Sequence, residues 1–166
     1  MELRPATGED LGYLLGLARD PEVGPLLAPG AAFEERLEEM LAARAAEGEP
    51  FGLYVIESDG GEPLGGLALM LGSAHSRICN LRQLMVDPAA RGRGVGTAAV
   101  RLACVRALVE HGYHRVQTET YGDNLTAHRL FERVGFVREG VRRSAYWRDH
   151  GWRDGVLYGI VAGELK

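Results

Sequence analysis

The chain has 166 residues, of which 46% are hydrophobic, so we expect a single domain, residues 1–166, around one buried core. A formal net charge of −4 excludes the broadly basic surface that non-specific nucleic-acid binding requires, and it favours a cationic partner instead. Lys166 is the only lysine, so a Schiff-base lysine and the lysine of a nucleotide-binding P-loop are both excluded.

The first half of the chain predicts a short strand, two helices and three longer strands. Thr7-Gly8-Glu9-Asp10 is typical of a capping box and marks the start of the first helix. The second helix has its apolar residues at helical spacing, and we expect it to form a lid over a binding site. Asp59-Gly60-Gly61 predicts a hairpin turn. The predicted strands are 3–5, 51–57, 64–71 and 78–86, and the predicted helices are 11–18 and 33–47.

The second half predicts two helices alternating with strands. In the helix of residues 97–111 the apolar face is formed by Ala98, Leu102, Val105 and Val109, and Gly112 ends it. Asn124 begins the last helix and Gly135 ends it, and its apolar face consists of Ala127, Leu130, Phe131 and Val134. The predicted strands are 115–120, 137–146 and 156–161.

The resulting order, β-α-α-β-β-β-α-β-α-β-β, is that of an α/β (α+β) fold with flanking helices. We expect a mixed central sheet of about six to seven strands. The strand-helix-strand unit around residues 97–111 should be a parallel, right-handed crossover.

Cysteine content and the N-terminal segment indicate the compartment. Cys79 and Cys104 are too few for a disulfide framework, and we expect both to be buried and reduced. Residues 1–10 contain three acidic residues and no apolar run, unlike a signal peptide or a membrane anchor. Apolar stretches are far shorter than the ~20 residues that span a bilayer. We therefore expect a cytoplasmic protein without a membrane partner.

A glycine-rich loop, Arg91-Gly92-Arg93-Gly94-Val95-Gly96, lies between a predicted strand and a predicted helix. Its glycines permit positive φ, and the free N–H groups at the start of the helix favour an anion, so the loop could hold a phosphate. The two arginines would neutralise phosphate charge. The loop alone is equally consistent with a simple connecting turn. Its glycine spacing differs from the dinucleotide-binding pattern G-x-G-x-x-G.

Two motifs together resemble those of the GNAT superfamily of N-acetyltransferases. Leu84-Met85-Val86-Asp87-Pro88 followed by Arg91-x-x-Gly94-x-Gly96 is similar to the coenzyme A motif of that superfamily. Asn124-x-x-Ala127-x-x-Leu130-Phe131-Glu132-x-x-Gly135-Phe136 is similar to its Asn-led helix. The resemblance covers residues 3–160 and implies the GNAT fold. It also implies an enzyme that transfers an acetyl group from acetyl-CoA to an amine, without a metal.

The resemblance also implies which residues bind the coenzyme. The backbone of the strand before the loop should pair with the pantetheine arm, and an N–H there should polarise the thioester carbonyl. The loop should hold the pyrophosphate, and Asn124 should reach the cysteamine end. The implied residues are Leu84, Met85, Val86, Arg91, Gly92, Arg93, Gly94, Val95, Gly96, Thr97, Asn124 and Phe131. Arg129 and Arg133 are further candidates.

Glu119 is our candidate general base, acting directly or through a water, because it lies on a strand that should border the coenzyme cleft. Several N-terminal acetyltransferases of the superfamily place their catalytic glutamate at the matching position. Alternatively, Glu119 is a strand carboxylate paired with an arginine. Phe131 stands where many relatives have an acidic tyrosine, and Tyr121 is the candidate replacement, with Tyr146, Tyr158 or a water as alternatives.

The sequence leaves open the identity of the acceptor amine and the oligomeric state. The segment from Glu139 to Tyr158 resembles ribosomal-protein N-terminal acetyltransferases and spermidine-type acetyltransferases, which implies a protein N-terminal amine or a small amine such as a polyamine. Because Phe131 cannot donate a proton as the usual tyrosine does, a non-catalytic acyl-CoA-binding or interaction module is the alternative function. A homodimer is common in such relatives. His111-x-x-His114 lacks a third ligand, so we expect no metal site. The candidates for the acceptor rim are Arg142, Arg143, Trp147, Arg148 and Trp152.

Overall fold

The computed structural model describes residues 1–27, 33–42 and 50–165, and their elements follow in the predicted order. None of the helices in these ranges is long and apolar enough to cross a membrane. The predicted end of the second helix, residues 43–47, lies outside the described residues. The strands are β1 Glu2–Pro5, β2 Gly52–Glu57, β3 Pro63–Ser73, β4 Ile78–Val86, β5 Arg115–Tyr121, β6 Val137–Arg148 and β7 Gly151–Val161. The helices are α1 Leu11–Arg19, α2 Phe33–Ala42, α3 Val95–Cys104 and α4 Leu125–Val134.

All seven strands form one mixed sheet in the order β1-β2-β3-β4-β5-β7-β6. Every pair is antiparallel except β4 and β5, which are parallel, so α3 connects them as the predicted crossover. This parallel pairing covers only three residue pairs, from Ile78 with Arg115 to Asn80 with Gln117. Beyond Asn80 and Gln117 the two strands separate, and the sheet opens in its middle.

Helices cover both faces of the sheet. On one face α3 and α4 pack through Val100 and Phe131 against strand residues such as Val116. On the other face α1 and α2 pack through Leu14 and Leu37, together with Ala68 and Met85. Neighbouring residues along β2 and β3 belong to different cores, as expected when successive side chains of a strand point to opposite faces.

The buried face of α3 differs from the predicted one. Val109 is 68% exposed, and Leu102 and Val105 are only partly buried. Small side chains such as Ala99 and Ala103 let the helix lie close to the sheet, so burial does not follow side-chain size. The fully buried residues are Ala99, Val100, Ala103, Cys104 and Ala107.

The predicted helix also changes its winding after Cys104. Residues Val105–Glu110 form a π-helical segment, in which the His111 N–H donates to the Arg106 carbonyl at 3.1 Å. A π-turn holds one residue more than an α-turn, so the periodicity read from the sequence loses its phase here. This change of phase contributes to the exposure of Val109.

The C-terminal hairpin is longer than predicted, because residues 147–155 belong mostly to β6 and β7. The turn is made by Asp149 and His150, with φ of 50° and 62°. Two left-handed central residues are typical of a type I′ hairpin turn. Trp147 and Trp152 are cross-strand partners with ring centroids 5.3 Å apart, and this pair stabilises the extension of both strands.

Both cysteines are fully buried and neither forms a disulfide, as predicted. Burial raises the pKa of each thiol to about 12. Cys79 and Cys104 therefore act as small apolar core residues rather than as nucleophiles.

The predicted capping box joins β1 to α1 through Asp10. Its carboxylate accepts two hydrogen bonds from Arg4 at 2.8 and 2.9 Å and one from the Thr7 backbone N–H at 2.8 Å. Arg4 also donates to Glu57 at 2.7 Å, which ties the loop to β2. The hydrogen bonds from Arg4 are the main cause that lowers the pKa of Asp10 to about 2.

We expect Asp10→Asn to lower the free energy of unfolding at pH 7 by about 1 kcal/mol, since the pair is partly exposed to solvent. Because the folded-state pKa is depressed, this stabilisation is complete above the ordinary value of 3.8 and is lost as the pH falls through about 2. Urea unfolding at pH 7 and at lower pH measures it, with Glu9→Gln at the exposed neighbouring position as the control. Equal stability of Asp10→Asn and the parent protein at pH 7 would contradict this account.

Candidate functional site

The separation of β4 from β5 opens a cleft of about 720 Å³. Its two sides are the edges of β4 and β5 beyond Asn80 and Gln117, where neither strand pairs with the other. Unpaired strand edges offer backbone N–H and C=O groups to an extended ligand. The glycine loop and the start of α4 close one end of the cleft, and Arg36 and Met40 of α2 line it from the side of the predicted lid.

A β-bulge in β4 borders the cleft. Arg82 pairs with Ala68 and Met85 pairs with Gly66, so Gln83 and Leu84 together face Leu67 of β3. Gln83 has a φ of 52°, a left-handed conformation that costs a non-glycine residue about 1 kcal/mol. The bulge leaves Arg82 and Met85 on the same face although they are three residues apart. No glycine or proline in β4 signals this feature in the sequence.

The glycine loop has the geometry of an anion cradle. Gly92 and Gly94 have φ of 74° and 79°, and a Cβ on either would meet open space, so backbone conformation is what requires glycine there. Gly94 immediately precedes α3. The N–H groups of Val95–Thr97 in the first turn have no acceptor within the helix, and these residues line the cleft.

Gly96 has a different role, because it lets α3 and α4 approach each other. A Cβ at Gly96 would lie 2.8 Å from Leu130 Cδ1 and 3.4 Å from Val86 Cγ2. The close packing brings the first turn of α4 to the cleft. At its start, Asn124 lines the cleft and its Oδ1 accepts the Ala127 N–H at 3.1 Å, so this side chain caps the helix.

The arginines of the motifs divide into two groups. Arg91 lines the cleft, and its guanidinium pairs with Glu22. Arg133 of α4 also lines the cleft. Arg93 and Arg129 are exposed and are not among the lining residues. Of the four arginines that the sequence offers as phosphate ligands, Arg91 and Arg133 are therefore the two that line the cleft.

Glu119 lines the cleft from β5, and its side chain is 12% exposed. Arg142 of β6 donates to its two carboxylate oxygens at 3.0 and 3.3 Å. The pairing with arginine that the sequence left as an alternative is therefore present, on a carboxylate that also borders the cleft.

Gly155 and Tyr146 complete the surroundings of Glu119. The sequence predicts no role for Gly155 and offers Tyr146 only as an alternative acid. A Cβ on Gly155 would collide with Glu119 Oε1, so glycine makes room for the carboxylate. Burial and the neighbouring Glu119 carboxylate raise the pKa of Tyr146. A glycine inside a strand marks such a close approach, but residues 151–155 were not expected to be a strand.

Tyr121, the candidate acid, and Phe131, which occupies the position of the usual acid, lie differently. Tyr121 is 4% exposed and is not among the lining residues, and its hydroxyl donates to the Leu27 carbonyl at 3.2 Å. Burial raises the pKa of Tyr121. Phe131 lines the cleft and is buried, with its ring 5.6 Å from that of Tyr158. Of the two residues considered catalytic, only Glu119 borders the cleft.

The cleft is basic although the chain is acidic overall. Among the described residues that line it, Glu119 is the only carboxylate, and four arginines accompany it. The cleft is therefore suited to an anionic ligand, while the cationic partner expected from net charge stays a prediction. In the ranges that the structure describes, no three His, Cys, Asp or Glu side chains converge as a metal site. The four arginines are Arg36, Arg82, Arg91 and Arg133.

Two sequence relatives carry names of acetyl-transfer enzymes. The chain is 36% identical over 70 residues to "Probable N-acetyltransferase YjcK" of Bacillus subtilis (strain 168), covering 39% of each protein. It is 30% identical over 76 residues to N-acetylaspartate synthetase of Xenopus tropicalis, covering 46% of this chain and 28% of the relative. Both alignments span less than half of the relatives' own lengths.

The structure and the family model extend this similarity along the chain. Spermidine N-acetyltransferase from Vibrio cholerae, solved in complex with CoA and spermine, superimposes with a TM-score of 0.84 at 18% identity, covering 98% of this chain and 95% of that one. The two proteins therefore share the GNAT fold, as the motifs predicted. Residues 14–136 match the model described as the acetyltransferase (GNAT) family, which is more than half of the chain. The chain thus belongs to the GNAT family of acetyltransferases.

Proposed function

We propose that this protein transfers an acetyl group from acetyl-CoA to a primary amine. The observation that carries the proposal is that a carboxylate, Glu119, and an anion cradle, residues 91–97 except Arg93, line the same cleft. Membership of the acetyltransferase family supports the proposal, as do the names of the sequence relatives.

The residues of the cleft fit coenzyme A. The first-turn N–H groups of α3 and the guanidinium groups of Arg91 and Arg133 would hold its phosphates. The unpaired edge of β4 at Leu84–Val86 would hydrogen-bond the pantetheine arm as an added strand. A backbone N–H of this edge would also donate to the thioester carbonyl oxygen and stabilise negative charge there.

Glu119 would remove the proton that keeps an amine unreactive. Acetyl-CoA supplies the thioester when it is bound. Glu119 accepts one proton from the ammonium, directly or through a water. The neutral nitrogen then forms the bond to the carbonyl carbon while the carbon–sulfur bond breaks. A second proton passes from the nitrogen to the departing sulfur, and Glu119 returns its proton to solvent.

The departing thiolate does not need a tyrosine. A thiol with a pKa of ~8.5 leaves as the anion at pH 7 at a cost of only about 2 kcal/mol. Phe131 in place of an acid is therefore compatible with turnover. Tyr121 would have to release the Leu27 carbonyl before it could donate a proton towards the cleft, so we propose that protonation of the sulfur occurs without it.

The pKa of the acceptor amine determines the free energy needed to deprotonate it at pH 7. Deprotonating a lysine-like amine with a pKa of ~10.4 costs roughly 4.6 kcal/mol at pH 7, whereas an α-amine with a pKa of ~8 costs about 1.4 kcal/mol. One carboxylate suits the α-amine better. A protein N-terminus and a small amine both stay within this proposal.

Release of free thiol from acetyl-CoA, followed with a thiol reagent, tests the proposal. We expect release to depend on an added amine, and mass spectrometry should find the acetylated amine as the second product. The panel should contain peptides with free N-termini, amino acids and polyamines, with a sample lacking amine as the measure of hydrolysis. Coenzyme binding without amine-dependent release across this panel would instead support the non-catalytic acyl-CoA-binding module.

A further inference from the structure

The register of the sheet places Arg82 across the cleft from Glu119. Ile78 pairs with Arg115 and Asn80 pairs with Gln117. Continuing this parallel register by two residues on each strand brings Arg82 opposite Glu119, at the point where the strands have separated. Directly opposite residues of a sheet have their side chains on the same face.

This is the face covered by α1 and α2. Arg82 pairs with Ala68, which belongs to the core beneath these two helices. Tyr121, two residues from Glu119, also reaches this side through its hydrogen bond to Leu27. Because Arg36 and Met40 of α2 line the cleft as well, Arg82 and Glu119 lie in the part of the cleft next to α2.

The Arg82 guanidinium is available to a ligand. Arg82 is exposed, lines the cleft and forms no ion pair or hydrogen bond with any residue that the structure describes. Its positive charge opposes the rise in the pKa of Tyr146, which lies beside Glu119 near Gly155, so the guanidinium acts at the Glu119 end of the cleft. An arginine in such a position can bind a carboxylate or phosphate through two parallel hydrogen bonds.

The charge around Glu119 disfavours a polycation. Arg142 already pairs with Glu119, while Arg36 and Arg82 also face this part of the cleft. No second carboxylate lines the cleft among residues 1–27, 33–42 and 50–165. Additional ammonium groups of a polyamine would therefore meet arginines rather than acids.

We propose that the acceptor is an amine that carries an anionic oxyacid group near its nitrogen, as a free amino acid does, and that Arg82 binds this group. The amine then meets Glu119 on the opposite side of the cleft. This inference rests on the proposed acetyl transfer and narrows its substrate class. It predicts a lower kcat/KM for protein N-termini and polyamines than for amino acids.

Matched pairs of amines test the inference. Each amino acid is compared with its own amide, which keeps the side chain and removes the anionic group, and spermidine is included as the polycation. We expect kcat/KM for the acid to exceed that for the amide by about tenfold or more, with spermidine lower still. The amine of an amide is less basic and loses its proton more easily, so a preference for the acid reports on recognition of the anionic group.

Arg82→Gln should remove the preference. The loss in kcat/KM should be about tenfold larger on the acid than on its amide and should appear mainly in KM. Arg101→Gln removes an equal charge from the exposed side of α3 and should keep the wild-type preference. Unchanged coenzyme affinity would show that Arg82→Gln is folded.

Three results would overturn the inference. They are equal rates on acids and amides in the wild type, a preference for spermidine, and equal losses on acid and amide in Arg82→Gln. Each of them leaves acetyl transfer itself in place. Failure of every amine to release thiol would overturn the proposed function and this inference together.

Discussion

Glu119→Gln is expected to lower kcat/KM for amine acetylation by about 100-fold to 10,000-fold. Glutamine keeps the size of the side chain but cannot take a proton from the ammonium. The loss should be largest where the acceptor is almost entirely protonated, and it should shrink as the pH approaches the pKa of the acceptor amine, because neutral amine then accumulates without a base. Rates of thiol release between pH 6 and pH 9 measure this, and coenzyme affinity should stay close to that of the wild type.

Glu139→Gln is the matched control. Glu139 is also a strand carboxylate held by an arginine, Arg115, but it is not among the residues that line the cleft. Its replacement should leave acetylation unchanged. Full activity of Glu119→Gln across the whole pH range would leave Glu119 as only the ion-pair partner of Arg142.

Gly94→Val is expected to raise the Kd for coenzyme A by about tenfold to a hundredfold. Valine is strained at the φ of 79° that Gly94 adopts. The backbone can relieve this strain by turning the peptide, which moves the first N–H groups of α3 away from the phosphates. Each tenfold change in Kd corresponds to about 1.4 kcal/mol of lost binding free energy. Calorimetric titration with coenzyme A measures the effect.

Gly61→Val is the control for backbone strain outside the binding site. Gly61 has a φ of 81°, nearly that of Gly94, and a Cβ there would also meet open space. It lies in the turn between β2 and β3, away from the cleft, so this variant should be destabilised similarly but bind coenzyme A normally. If Gly94→Val bound coenzyme A as tightly as the wild type, the loop would not be the phosphate site.

The order of elements could be predicted from the sequence because local signals mark each one. Gly112 and Gly135 end helices, and Asp59-Gly60-Gly61 marks a hairpin turn. The buried face of the helical segment 95–110 could not be predicted, because the small residues of α3 pack closest to the sheet and the winding changes after Cys104. The length of β6 and β7 depends on a turn at Asp149 and His150, whose left-handed conformation has no glycine to indicate it.

The features of the candidate site also divide into those with a local sequence signal and those that depend on distant residues. The left-handed conformation of the glycine loop could be predicted because its residues are contiguous and its glycines have a local conformational reason. Contacts between distant strands could not be predicted. Examples are the space that Gly155 leaves for the Glu119 carboxylate and the position of Arg82 across the cleft from Glu119. Tyr121 shows why: its spacing from Glu119 is local information, but the Leu27 carbonyl that holds its hydroxyl lies 94 residues earlier.

The bulge at Gln83 matters for comparing this chain with other members of its family. Counting every second residue along β4 from Met85 would assign Arg82 to the side of α3 and α4, whereas its partner Ala68 lies beneath α1 and α2. A sequence alignment that puts a gap elsewhere in this strand would make the same error. The counterpart of Arg82 in another protein is therefore identified by superimposing the two sheets, since aligned columns would compare residues on opposite sides wherever the bulge of that protein lies at another position.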